Sequence, residues 1–270
     1  MNATNRRVQL EWREAGRGES ILFLHAFPLN SAMWGPQLAG LPVGWRGIAP
    51  DLRGFGASPE GTEAVYTMEL FAGDVVALMD RLDLGRAVIC GSSMGGYIAF
   101  ELWRLFPERV RALILCDTRS GPDSPEAARA RERLAQRVEK EGNEVVVEAM
   151  LPKLVSSTTR YQSQGVVESM RAMMAETPPA SMARALRGMA VRRDSEPILR
   201  TISVPSLVVV GAEDAITGRG QSESLARGVP GARLATIDDA GHIPPLERPD
   251  EFNRVLTGFL AKLPQAAHAR

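Results

Sequence analysis

The chain has 270 residues, 44% of them hydrophobic, with 32 basic residues balanced by 32 acidic ones for a net charge of zero. That balance argues against nucleic acid or an anionic membrane as the main partner, and the longest apolar runs are strand-sized, far below the ~20 residues that span a bilayer. Two cysteines, Cys90 and Cys116, make no disulfide scaffold, and three scattered histidines without a cysteine pair make no metal site.

Met1 to Arg7 is polar and basic with no apolar stretch behind it, so no signal peptide is expected and a cytoplasmic location is. Residues 8–12 read as an edge strand, and Ala15-Gly16-Arg17-Gly18 as a turn. Ile21-Leu-Phe-Leu-His25 is a continuous apolar run, the mark of a strand buried on both faces. A short helix is predicted over 31–41, and residues 47–50 lead into a glycine-rich loop, Asp51-Leu-Arg-Gly-Phe-Gly-Ala-Ser58. Thr67 caps a helix whose apolar face runs Met68, Phe71, Val75, Leu78, Met79, Leu82. Strands at 87–90 and 110–116 flank a helix at 95–106 that Pro107 stops. This βαβ rhythm calls for a mostly parallel sheet with helices on both faces.

The rhythm breaks over 119–197. Four helical patterns follow one another there, at 125–141, 143–151, 159–175 and 179–190. It resumes with a strand at 206–210, a helix at 222–229, a strand at 233–237 and a helix at 249–263, before a frayed tail from Pro264. The predicted organisation is a core domain of residues 1–118 and 198–270, interrupted by a helical cap of residues 119–197. The cap leaves the sheet after Cys116 and rejoins it before Ser206; both joints are placed on the catalytic edge, so it is expected to fold over Ser93 as a lid. It holds six of the eleven methionines, among them Met150 and Met174, which are candidate pocket residues, although methionines at helical spacing also serve as core.

The sharpest motif is Gly91-Ser-Ser93-Met-Gly95, between a strand and a helix. A G-x-S-x-G elbow holds its serine on a strained turn, so that residues two positions either side pack closely and must lack bulk. Ser92 fails this requirement, because its own neighbours at that distance are Cys90 and Met94. A Walker phosphate loop would need a following lysine, and none is there. A serine nucleophile needs a base. His268 lies in the tail and His25 ends an early strand, where it is a candidate for the site floor. His242 follows the last strand, where catalytic groups of such sheets gather. The orienting acid should come from another strand end; Asp214 is the first choice, with Asp117, Glu213, Asp238 and Asp239 as rivals. Oxyanion donors are expected at the backbone N–H of Met94 and of Phe27.

The order His25-x-Phe-Pro, Asp51-x-Arg-Gly-x-Gly-x-Ser58, Gly91-x-Ser93-x-Gly-Gly96, Gly211-x-x-Asp214 and Gly241-His242 resembles the α/β-hydrolase superfamily. Within it, the chain is similar to the small carboxylesterase, enol-lactonase and cofactor-free haloperoxidase (perhydrolase) group. The resemblance implies an eight-stranded, mostly parallel sheet, a helical cap, and a Ser93–His242–Asp214 triad working through an acyl-enzyme with neither metal nor organic cofactor. A serine at 93 separates the chain from relatives that use an aspartate nucleophile. Ala26 stands where such proteins often have glycine, and Arg119, at the cap entrance, is a candidate partner for a substrate carboxylate. The expected activity is hydrolysis of a small ester or lactone with an apolar portion. Perhydrolysis or C–C bond hydrolysis by the same triad, and ligand binding without catalysis, are the alternatives.

Overall fold

The computed structural model describes residues 8–264; His268 and the basic Met1–Arg7 stretch lie outside them. In chain order the elements are β1 (Trp12–Gly16), β2 (Glu19–Leu24), α1 (Gly35–Ala39), β3 (Trp45–Pro50), α2 (Met68–Arg81), β4 (Ala87–Ser92), α3 (Met94–Leu105) and β5 (Val110–Cys116). Five consecutive helices follow: α4 (Pro125–Glu141), α5 (Glu144–Leu154), α6 (Ser157–Gln162), α7 (Gln164–Glu176) and α8 (Pro179–Ala190). The chain then gives β6 (Ser206–Gly211), α9 (Arg219–Gly228), β7 (Arg233–Ile237), α10 (Pro244–Glu247) and α11 (Pro249–Leu260). No helix among the described residues is long and apolar enough to cross a membrane.

The strands form one sheet in the order β1-β3-β2-β4-β5-β6-β7. Only β1 runs antiparallel, along β3. This is the α/β-hydrolase architecture, a mostly parallel sheet flanked by helices, but with seven strands rather than eight among the described residues. The first strand starts at Trp12, not at residue 8, and runs through Ala15 and Gly16, which read as a turn. Gly16 can stay in the strand because it lies against β3 so closely that a Cβ there would meet the Trp45 carbonyl at 2.2 Å. The turn is compressed into Arg17 and Gly18.

Strands β4 and β6 are buried at every residue, and β2 is buried from Ile21 onward, as their unbroken apolar runs require. The chain's winding direction reverses between β2 and β4, which are neighbours in the sheet. At such a switch point the loops leaving two adjacent parallel strands diverge and open a crevice. Here those loops are Ala26–Pro28 and the turn at Ser93.

Two helical boundaries depart from periodicity. The pattern over 159–175 is two helices, α6 and α7, because Ser163 takes φ −128° and ψ 56° between them. Helix α5 continues past Leu151 to Leu154, with Pro152 in its last turns. A proline that late removes an intrahelical bond only where the helix is about to end.

Candidate active site

Ser93 sits at φ 52° and ψ −109° at the turn from β4 into α3, a conformation disfavoured for a residue with a side chain. The neighbours explain how it is held. A Cβ on Gly91 would meet the Gly95 carbonyl oxygen at 2.3 Å, and one on Gly95 would meet the Leu24 oxygen at 2.2 Å. Ser93 N–H donates to the Cys116 carbonyl at 2.9 Å, and the Thr118 hydroxyl donates to the Ser93 carbonyl at 2.9 Å. The turn is thus fixed from both adjoining strands, and the side chain remains partly exposed while Ser92 is buried.

His242 follows β7 in the loop before α10. Its Nε2 lies 2.8 Å from Ser93 Oγ, and its Nδ1 lies 2.8 Å from Asp214 Oδ1. Asp214 hangs from the loop after β6, where Ile216 N–H donates to Oδ1 at 2.9 Å and Gly218 N–H to Oδ2 at 3.3 Å. The Thr217 hydroxyl also donates to Oδ2. Burial by itself pushes the Asp214 carboxyl up. The His242 ring and these donors outweigh it and hold the group well below the usual carboxylate range. An ionised acid against Nδ1 favours the tautomer with hydrogen there, leaving Nε2 to accept from Ser93.

The rival acids lie elsewhere. Glu213 accepts from the Ser157 backbone and hydroxyl, while Asp238 and Asp239 are exposed. Asp117 is fully buried beside the group, and one oxygen accepts from Gly211 N–H at 2.8 Å while the other has no protein partner. Burial first, and then the charge of Asp214, push its carboxyl well up. Asp117, Asp214 and His242 each bring a potential ligand atom within 4.8 Å of the others. Both oxygens of Asp214 are already filled by donors, so the cluster is built for hydrogen bonding rather than for a cation.

The loop after β2 places Phe27 over the same crevice. Among the described residues, neither Phe27 N–H nor Met94 N–H donates to a protein acceptor. Unpaired amides on the loops leaving β2 and β4, which are neighbours in the sheet, are the kind of donor that receives a developing oxyanion. Ala26, the methyl-bearing residue of this loop, is buried and donates its N–H to Met33 Sδ at 3.3 Å.

The remaining candidates receive other tasks. His25 is not a substrate contact: it is fully buried, its Nδ1–H donates to the Ala26 carbonyl at 3.0 Å and its Nε2 accepts from Leu52 N–H at 3.0 Å. Both ring nitrogens are spent tying the β2 loop to the Asp51–Ser58 loop. Arg119 is not a free cation, since it pairs at 2.7 Å with Asp123, as do Arg131 and Arg192 at 2.6 Å each. Met174 has no exposed surface and packs inside the helical insertion, whereas Met150 is only partly buried.

Glu247 escaped the sequence reading. It is 6% exposed, and its Oε1 accepts from Gly241 N–H at 2.9 Å and Ile243 N–H at 3.1 Å, the amides on either side of His242. The available signal was an acid five residues beyond the histidine, behind Pro244 and Pro245, which carry no N–H to occupy it.

Residues 19–249 match the family model described as the alpha/beta hydrolase fold. The sequence is 28% identical over 263 residues to 3-oxoadipate enol-lactonase 2 of Acinetobacter baylyi, covering 96% of each chain. A malate-bound thermophilic esterase from Thermogutta terrifontis superposes with a TM-score of 0.94 at 41% identity, over 97% of this chain and 96% of that one. An enol-lactonase from Burkholderia xenovorans superposes at 0.88 with 30% identity, over 95% and 98%.

Proposed function

Since this chain belongs to the alpha/beta hydrolase family and is a hydrolase, we propose that it cleaves a small carboxylic ester or lactone, with Ser93 as nucleophile, His242 as general base and Asp214 as the orienting acid. The observation that carries this reading is the unbroken line from Ser93 Oγ through the His242 ring to Asp214, with 2.8 Å at each contact. The names of similar proteins, esterase and enol-lactonase, support the substrate class.

In the proposed cycle Ser93 Oγ attacks the acyl carbon as its proton passes to His242 Nε2. The oxyanion is received by the amides of Phe27 and Met94. His242 then delivers the proton to the leaving alkoxide, which a lactone would keep tethered to the acyl-enzyme. Water, deprotonated by His242, attacks the acyl carbon and releases the acid and Ser93. Asp214 stays ionised throughout and balances the imidazolium. The insertion, residues 119–197, caps the core formed by residues 1–118 and 198–270 in this reading. Met150 lies one helical turn before Leu154, whose carbonyl accepts from His242 N–H at 2.9 Å, so Met150 is the methionine best placed to line the apolar part of a pocket. Two unjoined thiols, Cys90 and Cys116, buried in adjacent strands, fit a reducing cytoplasm.

The test is turnover of p-nitrophenyl esters from acetate to octanoate, with hydrogen peroxide as a competing acyl acceptor, by the wild type and Ser93→Ala. The expected result is hydrolysis that the substitution lowers by ~10⁶ in kcat. Undiminished turnover in the variant would sink the serine mechanism, and preferential transfer to peroxide would redirect it to perhydrolysis.

A further inference from the structure

We infer that Glu247 is a positioning residue for His242, and that the α5–α6 turn of the insertion acts on the reaction through it; this rests on the proposed role of His242 as the base. Three backbone amides from two distant parts of the chain converge on one buried carboxylate. Gly241 N–H and Ile243 N–H reach Oε1, and Ser156 N–H reaches Oε2 at 2.7 Å. The turn is bound to the histidine loop at two further points. His242 N–H donates to the Leu154 carbonyl at 2.9 Å, and the Ser156 hydroxyl donates to the Asp239 carbonyl at 2.9 Å. The approach leaves no room for a side chain, since a Cβ on Gly241 would lie 2.6 Å from Ser156 N.

The consequence is mechanical. His242 must place Nε2 on Ser93 and Nδ1 on Asp214 at once, and its own ring bonds fix only the side chain. Glu247 fixes the backbone on both sides of it, and the insertion supplies the partner for that backbone's remaining N–H. The turn at 154–156 is therefore not a swinging part of a lid. It belongs to the frame of the base, and displacing it displaces the imidazole.

Glu247→Gln keeps the shape but turns an N–H2 toward one of the donors, so either Ser156 or the Gly241 and Ile243 pair loses its acceptor. Gly241→Ala leaves the carboxylate intact and pushes the turn away by bulk. Both are to be compared with the wild type and Ser93→Ala in ester turnover, in the rate of Ser93 labelling by a fluorophosphonate, and in thermal melting. The expected result for both substitutions is a fall in kcat of about ten- to a hundredfold with KM changed less than about threefold, as misplacement of a reacting group produces. Labelling should slow in parallel, because it needs the same base but none of the substrate contacts. A folded Glu247→Gln protein with wild-type kcat and labelling rate overturns the inference, even if its melting temperature has dropped. If that variant does not fold, Gly241→Ala decides by the same two readouts. Full turnover by Ser93→Ala would instead overturn the triad reading beneath it.

Discussion

Two carboxyl groups less than 5 Å apart, on adjacent strand ends, are pushed in opposite directions at Asp214 and Asp117. Donors surround the first and hold it down, whereas burial with a single donor pushes the second up, and the charge of Asp214 adds to that push. Asp214→Asn should lower kcat by ~10⁴, since an amide there permits the wrong imidazole tautomer. Asp117→Asn keeps the shape and an acceptor for Gly211 N–H and should leave kcat within a few-fold; steady-state rates of the two variants side by side check both. His25 supplies a pH dependence of stability. Burial, the largest influence, lowers its pKa from 6.5 to about 4. Between those values the unfolded chain takes up a proton that the folded chain refuses, so stability falls as pH drops from 6.5 toward 4 and is unaffected by this group above 6.5. The loss is on the order of 3 kcal/mol. Melting curves from pH 4 to 8 should show this slope in the wild type and lose most of it in His25→Gln.

The strand-to-helix joints do the work of placement. At the β4–α3 joint the glycines matter for approach rather than for freedom: Gly95 lies against the end of β2, and its missing Cβ is what lets α3 begin there. Gly95→Ala would force backbone against backbone, with no flexible side chain able to yield. We expect a destabilisation of about 2–3 kcal/mol and a loss of ester turnover exceeding the loss of fold, measured by denaturant midpoint and rate together. Helix α10 is a single turn, yet it delivers Glu247. Elements this short leave almost no periodic trace, which is why the strands and long helices could be read from spacing while α10 and the α6–α7 break could not.

Across the whole molecule, the insertion is tied to the core at several places, among them the turn at 154–156 and the pairs of Arg193 with Glu69 and Glu101 and of Arg184 with Glu60. Its own two ends are tied to each other by Asp123, whose fully buried side chain receives Arg119 and Arg192 near those ends and Arg131 from α4. Ser195 N–H donates to the Ser120 carbonyl at 2.9 Å beside it. Burial works to raise the Asp123 carboxyl, but Arg131 and Arg192 hold it below the ordinary range, so the ion is charged and paired. Asp123→Ala leaves three arginines facing one another, and removal of one partner from a buried cluster typically costs ~3 kcal/mol. A melting temperature lowered by roughly 5 °C is expected in a chain of this size. An unchanged melting temperature would mean that the arginines find other partners.

The amino-acid sequence by itself determined the buried strands, the long helices, the break in the βα rhythm after β5, and Ser93 and His242 as the pair that meets at the sheet's edge. Each of these leaves a local mark: an unbroken apolar run, a 3.6-residue period, a glycine two places either side of a serine, a polar residue at a strand's carboxyl end. Only the tertiary structure decided between Asp214 and Asp117, turned His25 and Arg119 from candidate substrate contacts into internal struts, buried Met174, and brought Glu247 and Ser156 to the back of His242. The contacts Asp214–His242, Ser156–Glu247 and Ser93–His242 join residues 28, 91 and 149 positions apart in the chain. No periodicity records such distances; they follow from how the helices settle on the sheet and from which donors are left over when they do.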